Sequence, residues 1–235
     1  MISVIVPTYQ EAENLSLLIE AIDGSLSGMD DAYEVLVVDD DSRDGTEEVC
    51  AKLARAHPVR LIVRRGERGL ATAVIRGIEA SSGEIIVVMD ADLSHPASAI
   101  PIMVERLKRG ESDFVIGSRY ARGGSIHGGW TPFRKLNSLV PLALAKPLCP
   151  LADPMSGFFA LRRADVPEGS RLSPVGYKIA LEIFVKGDFE MPSEVPIHFG
   201  ERRFGQSKLS FKEQLNFVRH LGRLYAYKLG FSAAP

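Results

Sequence analysis

Asp90 and Asp92 stand two residues apart in VVMDADLSHP, just after a run of valines that reads as a strand. If the extended conformation continues past the valines, both carboxylates project to one side. Two hard oxygen donors at a strand end suit Mg²⁺ or Mn²⁺ bridging phosphate oxygens, with water and substrate completing the shell. Such a cation would neutralise charge developing on a departing nucleoside diphosphate. A plainer reading makes Asp92 or Ser94 the cap of a helix that Pro96 helps to start. His95 reads as a residue of that helix start, because hard cations prefer oxygen.

A second acidic cluster, Asp39, Asp40 and Asp41 in VVDDDSRDGT, closes another apolar run. Three successive carboxylates repel one another unless donors take up their lone pairs. The amide edge of a nucleobase or a ribose diol would do so. Equally, Asp41, Ser42 and Asp44 can cap a turn and helix. In PTYQE, Pro7 is expected to stop the first strand, Tyr9 offers a ring for stacking on a base, and Glu11 begins a helix with its carboxylate at the positive end of the dipole. The G-x-G-x-x-G of a dinucleotide-binding turn is absent from this position.

The elements that must carry these loops are legible as alternation. Ser3 to Val6, Val35 to Val38, Arg60 to Val63, Ile85 to Met89 and Phe114 to Ile116 are short, rich in Val and Ile, and bounded by turn residues. Buried parallel strands have that composition. Between them Leu15, Leu18, Ile19, Ile22 and Leu26 recur at helical spacing, as do Val74 and Ile78. Strands alternating with helices predict a doubly wound sheet whose ligands sit at the carboxyl ends of the strands. After Ser118 the pattern breaks into a Gly-rich basic stretch, 119–135, and an apolar stretch, 137–148, holding Pro141 and Pro147. A helix and then a strand in EVPIHF are expected within 176–199, and a last amphipathic helix over 210–229.

Composition narrows the function classes. The chain has 235 residues, enough for one α/β domain, with 28 Lys and Arg against 30 Asp and Glu. A net charge of -2 argues against nucleic acid as partner. Yet Arg64, Arg65, Arg68, Arg119, Arg122, Arg134, Lys135, Arg202, Arg203 and Lys208 crowd around the motifs, which suits a small polyanion. Cys50 and Cys149 lack metal-type spacing and read either as a single disulfide or, in a cytosolic protein, as reduced buried thiols. MISVIVPTYQE lacks the features of a signal peptide, and no apolar run reaches the ~20 residues of a bilayer span. Membrane association is therefore expected to be peripheral or through a membrane-protein partner.

PTYQE, DDDSRDGT and DADLSHP together resemble the family 2 glycosyltransferases of GT-A fold, and within them the dolichyl- or polyprenyl-phosphate mannosyltransferases. ERGLATAVIRGIEAS, GSRYARGG, DPMSGFFALRR, GYKIALEI, EVPIHF and RRFGQSK extend the resemblance from about Ile2 to Lys208. It implies an α/β GT-A fold, a mostly parallel central sheet flanked by helices, over residues 1–209. The remaining 210–235 would form a C-terminal amphipathic helix and tail, either interfacial beside lipid or packed on its own domain.

By the same resemblance Pro7, Tyr9, Glu11 and Asp40 would hold the nucleoside, with Asp39 and Asp41 close by. Asp90 and Asp92 would bind Mg²⁺ or Mn²⁺ and the diphosphate, with Ser94 in the third ligand position, where water can substitute. Arg119, Arg134, Ser138, Arg202 and Lys208 would hold phosphates of donor and acceptor, and Asp90, Asp92, Arg119 and Arg202 would carry catalysis. Guanidinium forks suit phosphate oxygens. Two departures are Gln10 where the family commonly has Asn, and Ala71 where Gly is usual. Asp153 is expected to organise the acceptor side or serve structure. Glu182 is expected either to accept from a sugar hydroxyl or to pair with a cation.

The implied reaction is inverting transfer of mannose from GDP-mannose to a polyprenyl phosphate, peripherally at the cytoplasmic face of a membrane. A phosphate acceptor is already an anion and needs no strong base. The alternatives are transfer of glucose or another sugar from a UDP-sugar, and an inactive nucleotide-binding module.

Overall fold

A computed structural model describes residues 1–126, 141–168, 172–173, 178–200 and 211–231, the side chains of 211–214 excepted. Each valine-rich run is a strand: β1 Ile2–Thr8, β2 Tyr33–Asp39, β3 Val59–Val63, β4 Ile85–Val88 and β5 Phe114–Ser118. Between them lie α1 Ala12–Leu26, α2 Thr46–Leu53, α3 Leu70–Ala80 and α4 Ile100–Lys108. The later elements are β6 Ser125–Ile126, β7 Phe159–Arg162, α5 Ile179–Lys186, β8 Pro192–Pro196, β9 His198–Phe199 and α6 Phe211–Lys228.

The main sheet has seven strands in the order β3-β2-β1-β4-β7-β5-β8. All neighbours are parallel except β7, which runs antiparallel to both β4 and β5. β6 and β9 form a separate parallel pair. The expected mostly parallel sheet is therefore present, with one inserted strand that the sequence pattern did not mark. EVPIHF is also not one strand: β8 ends at Pro196, and β9 resumes at His198 in the other sheet.

Alternating side chains of the strands feed two cores. Val4, Val6, Val35, Val37 and Val87 pack on one face against Leu15, Ile19 and Ile22 of α1 and Met103 and Val104 of α4. Ile5, Val38, Ile86 and Val88 point to the other face, against Val74 and Ile78 of α3 and Leu181 and Ile183 of α5. Burying each such side chain contributes about 1.5–3 kcal/mol, which makes the sheet the rigid base of the site. Gly77 lets α3 lie close on β1, since a Cβ there would meet Ile5 Cγ2 at 2.4 Å.

Pro7 does not stop β1, which continues to Thr8 with Pro7 opposite Val38. Proline removes one ladder donor, and pairing with β4 ends at Ile5, so beyond it β1 has an open edge. Phe217, Leu221 and Leu224 of α6 are buried in the second core, while Leu215 and Val218 are 44% and 60% exposed. Among the described residues no helix is long and apolar enough to cross a membrane.

Candidate active site

The parallel order β2-β1-β4 brings the three acidic loops side by side at the carboxyl edge of the sheet. Gln10, just past β1, has φ +58 and donates its N–H to Ser42 Oγ at 2.8 Å. Ala12 N donates to Asp44 Oδ2 at 3.2 Å, so the loops after β1 and β2 are tied together. Glu11 precedes α1 and accepts from the Asn14 amide at 2.6 Å. The Arg68 guanidinium lies 4.5 Å above the centre of the Tyr9 ring.

Asp39 and Asp40 are buried, at 1% and 5% exposure, and both carboxylates are engaged within the chain. Asp39 accepts from Thr8 Oγ1 at 3.1 Å, Ser42 N at 2.9 Å and Ser42 Oγ. Asp40 accepts from Arg64 Nε at 2.7 Å and Gly69 N at 2.8 Å, fixing the loop that follows β3. Asp41 has φ +53 and turns outward to Arg43, which donates to it at 2.8 and 3.1 Å. That bond, aided by the charges of Arg65 and Arg68, holds the Asp41 carboxyl below its ordinary range. Asp44 accepts from Thr46 N and Oγ1 at the first residue of α2, whose N-cap position is Gly45; of Asp41, Ser42 and Asp44, expected to cap here, Asp44 alone reaches the helix start.

The strand carrying the third loop ends at Val88, and the chain turns at Ala91 and Asp92, with Leu93 at φ +63. The extended continuation expected through Asp92 is therefore not present; a left-handed residue reverses the chain instead. Asp92 is buried, and its Oδ1 accepts from Ser94 N at 3.1 Å and Ser94 Oγ at 2.5 Å. The Asp90 side chain keeps 35% exposure. His95 is buried between Phe158 and Phe199, with ring centres 5.2 and 5.4 Å away. Its Nδ1 accepts from Asp90 N at 3.2 Å, which requires an unprotonated nitrogen, and burial lowers the imidazole pKa in the same sense. His95 thus orients the loop from behind.

At the end of β5, Arg119 grips Asp153 through Nε at 2.7 Å and Nη2 at 2.8 Å, while its backbone N donates to the same carboxylate at 3.0 Å. Burial would lower the guanidinium pKa, but the bond to Asp153 outweighs it and raises it. Asp153 is fully buried and held in turn by Glu194 of β8, whose carboxylate accepts from Ala152 N and Asp153 N at 2.9 and 3.0 Å. Asp153 thus holds Arg119 in place, which accords with the structural alternative for this residue, and Nη1 of Arg119 is not used by it. Phe199 lies under Arg119 at 5.3 Å.

Glu182 lies with the cation and not with a sugar-facing surface. It is fully buried and accepts from Lys186 Nζ at 2.6 Å and Ser173 N at 2.7 Å, with His220 Nε2 of α6 at 3.4 Å. Burial alone would raise its pKa; these polar contacts pull it down to about 2. Arg134, Ser138, Arg202 and Lys208 lie outside the described residues. Glu194 and Lys178 were missed by sequence reasoning, although both stand in quoted motifs. Only their tertiary neighbours single them out.

The oxygen set fits a small divalent cation. The Asp90 carboxylate is partly exposed and takes no hydrogen bond from any described residue. Gly157 packs against it where a Cβ would come within 3.2 Å of Oδ1, so the missing side chain leaves room around the carboxylate. Among the described residues no group of three or more His, Cys, Asp and Glu could hold a metal ion, so a cation here would draw on fewer side chains plus water or substrate oxygens.

The glycosyl transferase family 2 model matches residues 3–168. A dolichol-phosphate mannosyltransferase from Pyrococcus furiosus is 46% identical over 231 residues, covering 97% of this chain and 64% of that protein. The chain thus spans less than two thirds of the length of this relative. Another from Saccharomyces cerevisiae is 38% identical, covering 97% of this chain and 88% of its own. One from Mycosarcoma maydis is 37% identical, covering 97% and 80%. Glucosyl-3-phosphoglycerate synthase from Mycobacterium tuberculosis, solved with Mn²⁺, UDP-glucose and phosphoglyceric acid, superimposes with a TM-score of 0.68 at 20% identity, over 100% of this chain and 81% of that one. That likeness is one of fold.

Proposed function

The chain belongs to glycosyl transferase family 2 and has the GT-A fold, and on that premise we propose that it transfers mannose from GDP-mannose to a polyprenyl phosphate with inversion. The observation that carries this reading is the meeting of three acidic loops, at the ends of β1, β2 and β4, with Arg119 at the end of β5. Asp90 lies within electrostatic reach of the Arg119 guanidinium. The carboxylate proposed for the cation thus shares its surroundings with a guanidinium suited to phosphate. The mannosyl donor and lipid acceptor are supported by the names of the relatives.

Tyr9, Glu11 and Asp41 have side chains at the surface of their loops and contact the nucleoside directly. Asp39 and Asp40 hold that pocket in shape. Asp90 and Asp92, with Ser94 beside them, would hold Mg²⁺ or Mn²⁺, which when bound supplies charge neutralisation for the leaving diphosphate. Arg119 aligns the acceptor phosphate through the part of its guanidinium that Asp153 leaves, together with Arg134, Ser138, Arg202 and Lys208. Asp153 cannot serve as a base while Arg119 and the backbone occupy its oxygens. None is required, because the attacking phosphate oxygen already carries charge. Rate enhancement then rests on positioning and on stabilising the departing diphosphate.

On this reading the reaction takes place at the cytoplasmic face of a membrane, with the protein held peripherally on the surface or by a membrane-protein partner. Exposed Leu215, Val218, Leu229 and Phe231 support contact with lipid, and the free, buried Cys50 and Cys149 fit a reducing compartment.

A radiolabel assay with a polyprenyl phosphate and Mg²⁺ or Mn²⁺ tests the activity across GDP-mannose, UDP-glucose and UDP-N-acetylglucosamine. Transfer from GDP-mannose alone is the expected result. Transfer only from a UDP-sugar overturns the donor, and no transfer from any donor while GDP still binds overturns catalysis.

A further inference from the structure

The turn before β7 reaches three charged groups from alternate residues. Asp153 clasps Arg119. Two residues on, the Met155 carbonyl accepts from Lys178 Nζ at 2.6 Å. Two further on, Gly157 packs on the Asp90 carboxylate, with Oδ1 at 3.2 Å from the position of an added Cβ. One five-residue turn therefore contacts the lysine, the acidic loop after β4 and the guanidinium after β5. Lys178 interacts electrostatically with Arg119, Asp90 and Asp153.

We infer that Lys178 is a further phosphate-binding residue of the transfer site, its ammonium contacting a phosphate oxygen of the substrates between Asp90 and Arg119. This rests on the sugar-transfer reading above. A second cation beside Arg119 raises like-charge repulsion in a largely enclosed place, and burial with Arg119 pulls the lysine pKa down to about 8. A phosphate seated between the two cations relieves that repulsion and gains charge-assisted hydrogen bonds. The hydrogen bond to Met155 fixes where the ammonium sits. Phosphates arrive from two sources, the donor diphosphate and the acceptor.

Two substitutions separate charge from scaffolding. Lys178→Gln keeps a donor for the Met155 carbonyl but removes the charge; Lys178→Arg keeps both. We expect kcat/KM to fall about 100-fold in Lys178→Gln, in line with loss of one charge-stabilising group, and less than about tenfold in Lys178→Arg. A Lys178→Gln protein within about threefold of wild type overturns the inference, because scaffolding alone then accounts for the lysine. Equal losses in both variants overturn it as well. If Lys178→Gln does not fold, Lys178→Met is read by the same threshold. Calorimetry with GDP and a titration of acceptor KM identify the source: weaker GDP binding assigns the donor diphosphate, and a raised acceptor KM with GDP binding intact assigns the acceptor. Wild-type protein run alongside keeps the two claims apart. If it transfers no sugar, the activity assignment fails; if it does and the variants match it, only the role of Lys178 fails.

Discussion

Asp39 ends β2 with Asp40 just after it, and Asp90 and Asp92 follow β4; the two pairs lie on either side of β1 at the same edge of the sheet. By residue type they are alike. Their surroundings are not. Asp40 is closed in by Arg64 and Gly69, and Asp39 by Thr8 and Ser42. Asp90 instead keeps 35% exposure beside a glycine. A buried carboxylate with all its partners inside the chain holds loops together, whereas a partly open one at a strand end remains available to a ligand. The difference lies in what the rest of the chain offers each oxygen and not in the aspartate.

The largest expected effect tests the closed pair. Asp40→Ala removes the closest carboxylate from the buried Arg64 guanidinium, leaving it Glu67 and the Gly69 carbonyl, and should cost about 3 kcal/mol in stability, read from the midpoint of denaturant unfolding. Near-wild-type stability would break the contrast. The open carboxylate should behave oppositely: Asp90→Asn is expected to lower kcat by about 10²–10³ with the melting temperature almost unchanged. A large loss of stability there would mean that Asp90 also belongs to the scaffold.

Glu182 extends the closed class to the contact between α5 and α6, and its sign can be worked out. Its folded pKa, about 2, lies below the ordinary 4.5, so its stabilisation is present above 4.5 and is lost as pH falls toward 2. Melting curves of wild type and Glu182→Gln should therefore converge across that window. Gly157→Ala places a methyl against Asp90 and should lower kcat about tenfold, the scale of a modest misplacement, with little change in unfolding midpoint. The smallest effect falls at Gln10, whose φ of +58 suits asparagine better. Gln10→Asn should stabilise by roughly 0.5 kcal/mol, visible as a small rise in melting temperature without loss of activity.

Residues whose role is set by near neighbours were legible in the sequence. Val35 to Val38 and Leu15 to Leu26 announce β2 and α1 through their own spacing. The capping role of Asp44 is likewise decided two residues away, at Thr46. What the pattern did not reveal depends on partners far along the chain. Asp40 meets Arg64 and Gly69, 24 and 29 residues on. Lys178 is placed by Met155, 23 residues back. The reading of Asp90 and Asp92 as projecting to one side depended on the strand running on, whereas the chain already turns at Ala91 and Asp92, ahead of the left-handed Leu93. β7 was missed because FALR makes sense only once β4 and β5 stand on both sides of it.

β7 also sets an order of events during synthesis. β4 and β5 are successive in the chain but are not neighbours in the sheet; the slot between them is filled only by Phe159–Arg162. A ribosome that has released residues up to Ser118 has made five strands and left two facing edges unpaired. Those edges must wait some forty residues of further translation, two or more seconds at about 5–20 residues per second. Through that interval the nascent chain presents open strand edges of the kind that recruit other chains. Slow stretches of message before the codon for Phe159 would prolong the exposure, and early release there would yield an insoluble fragment.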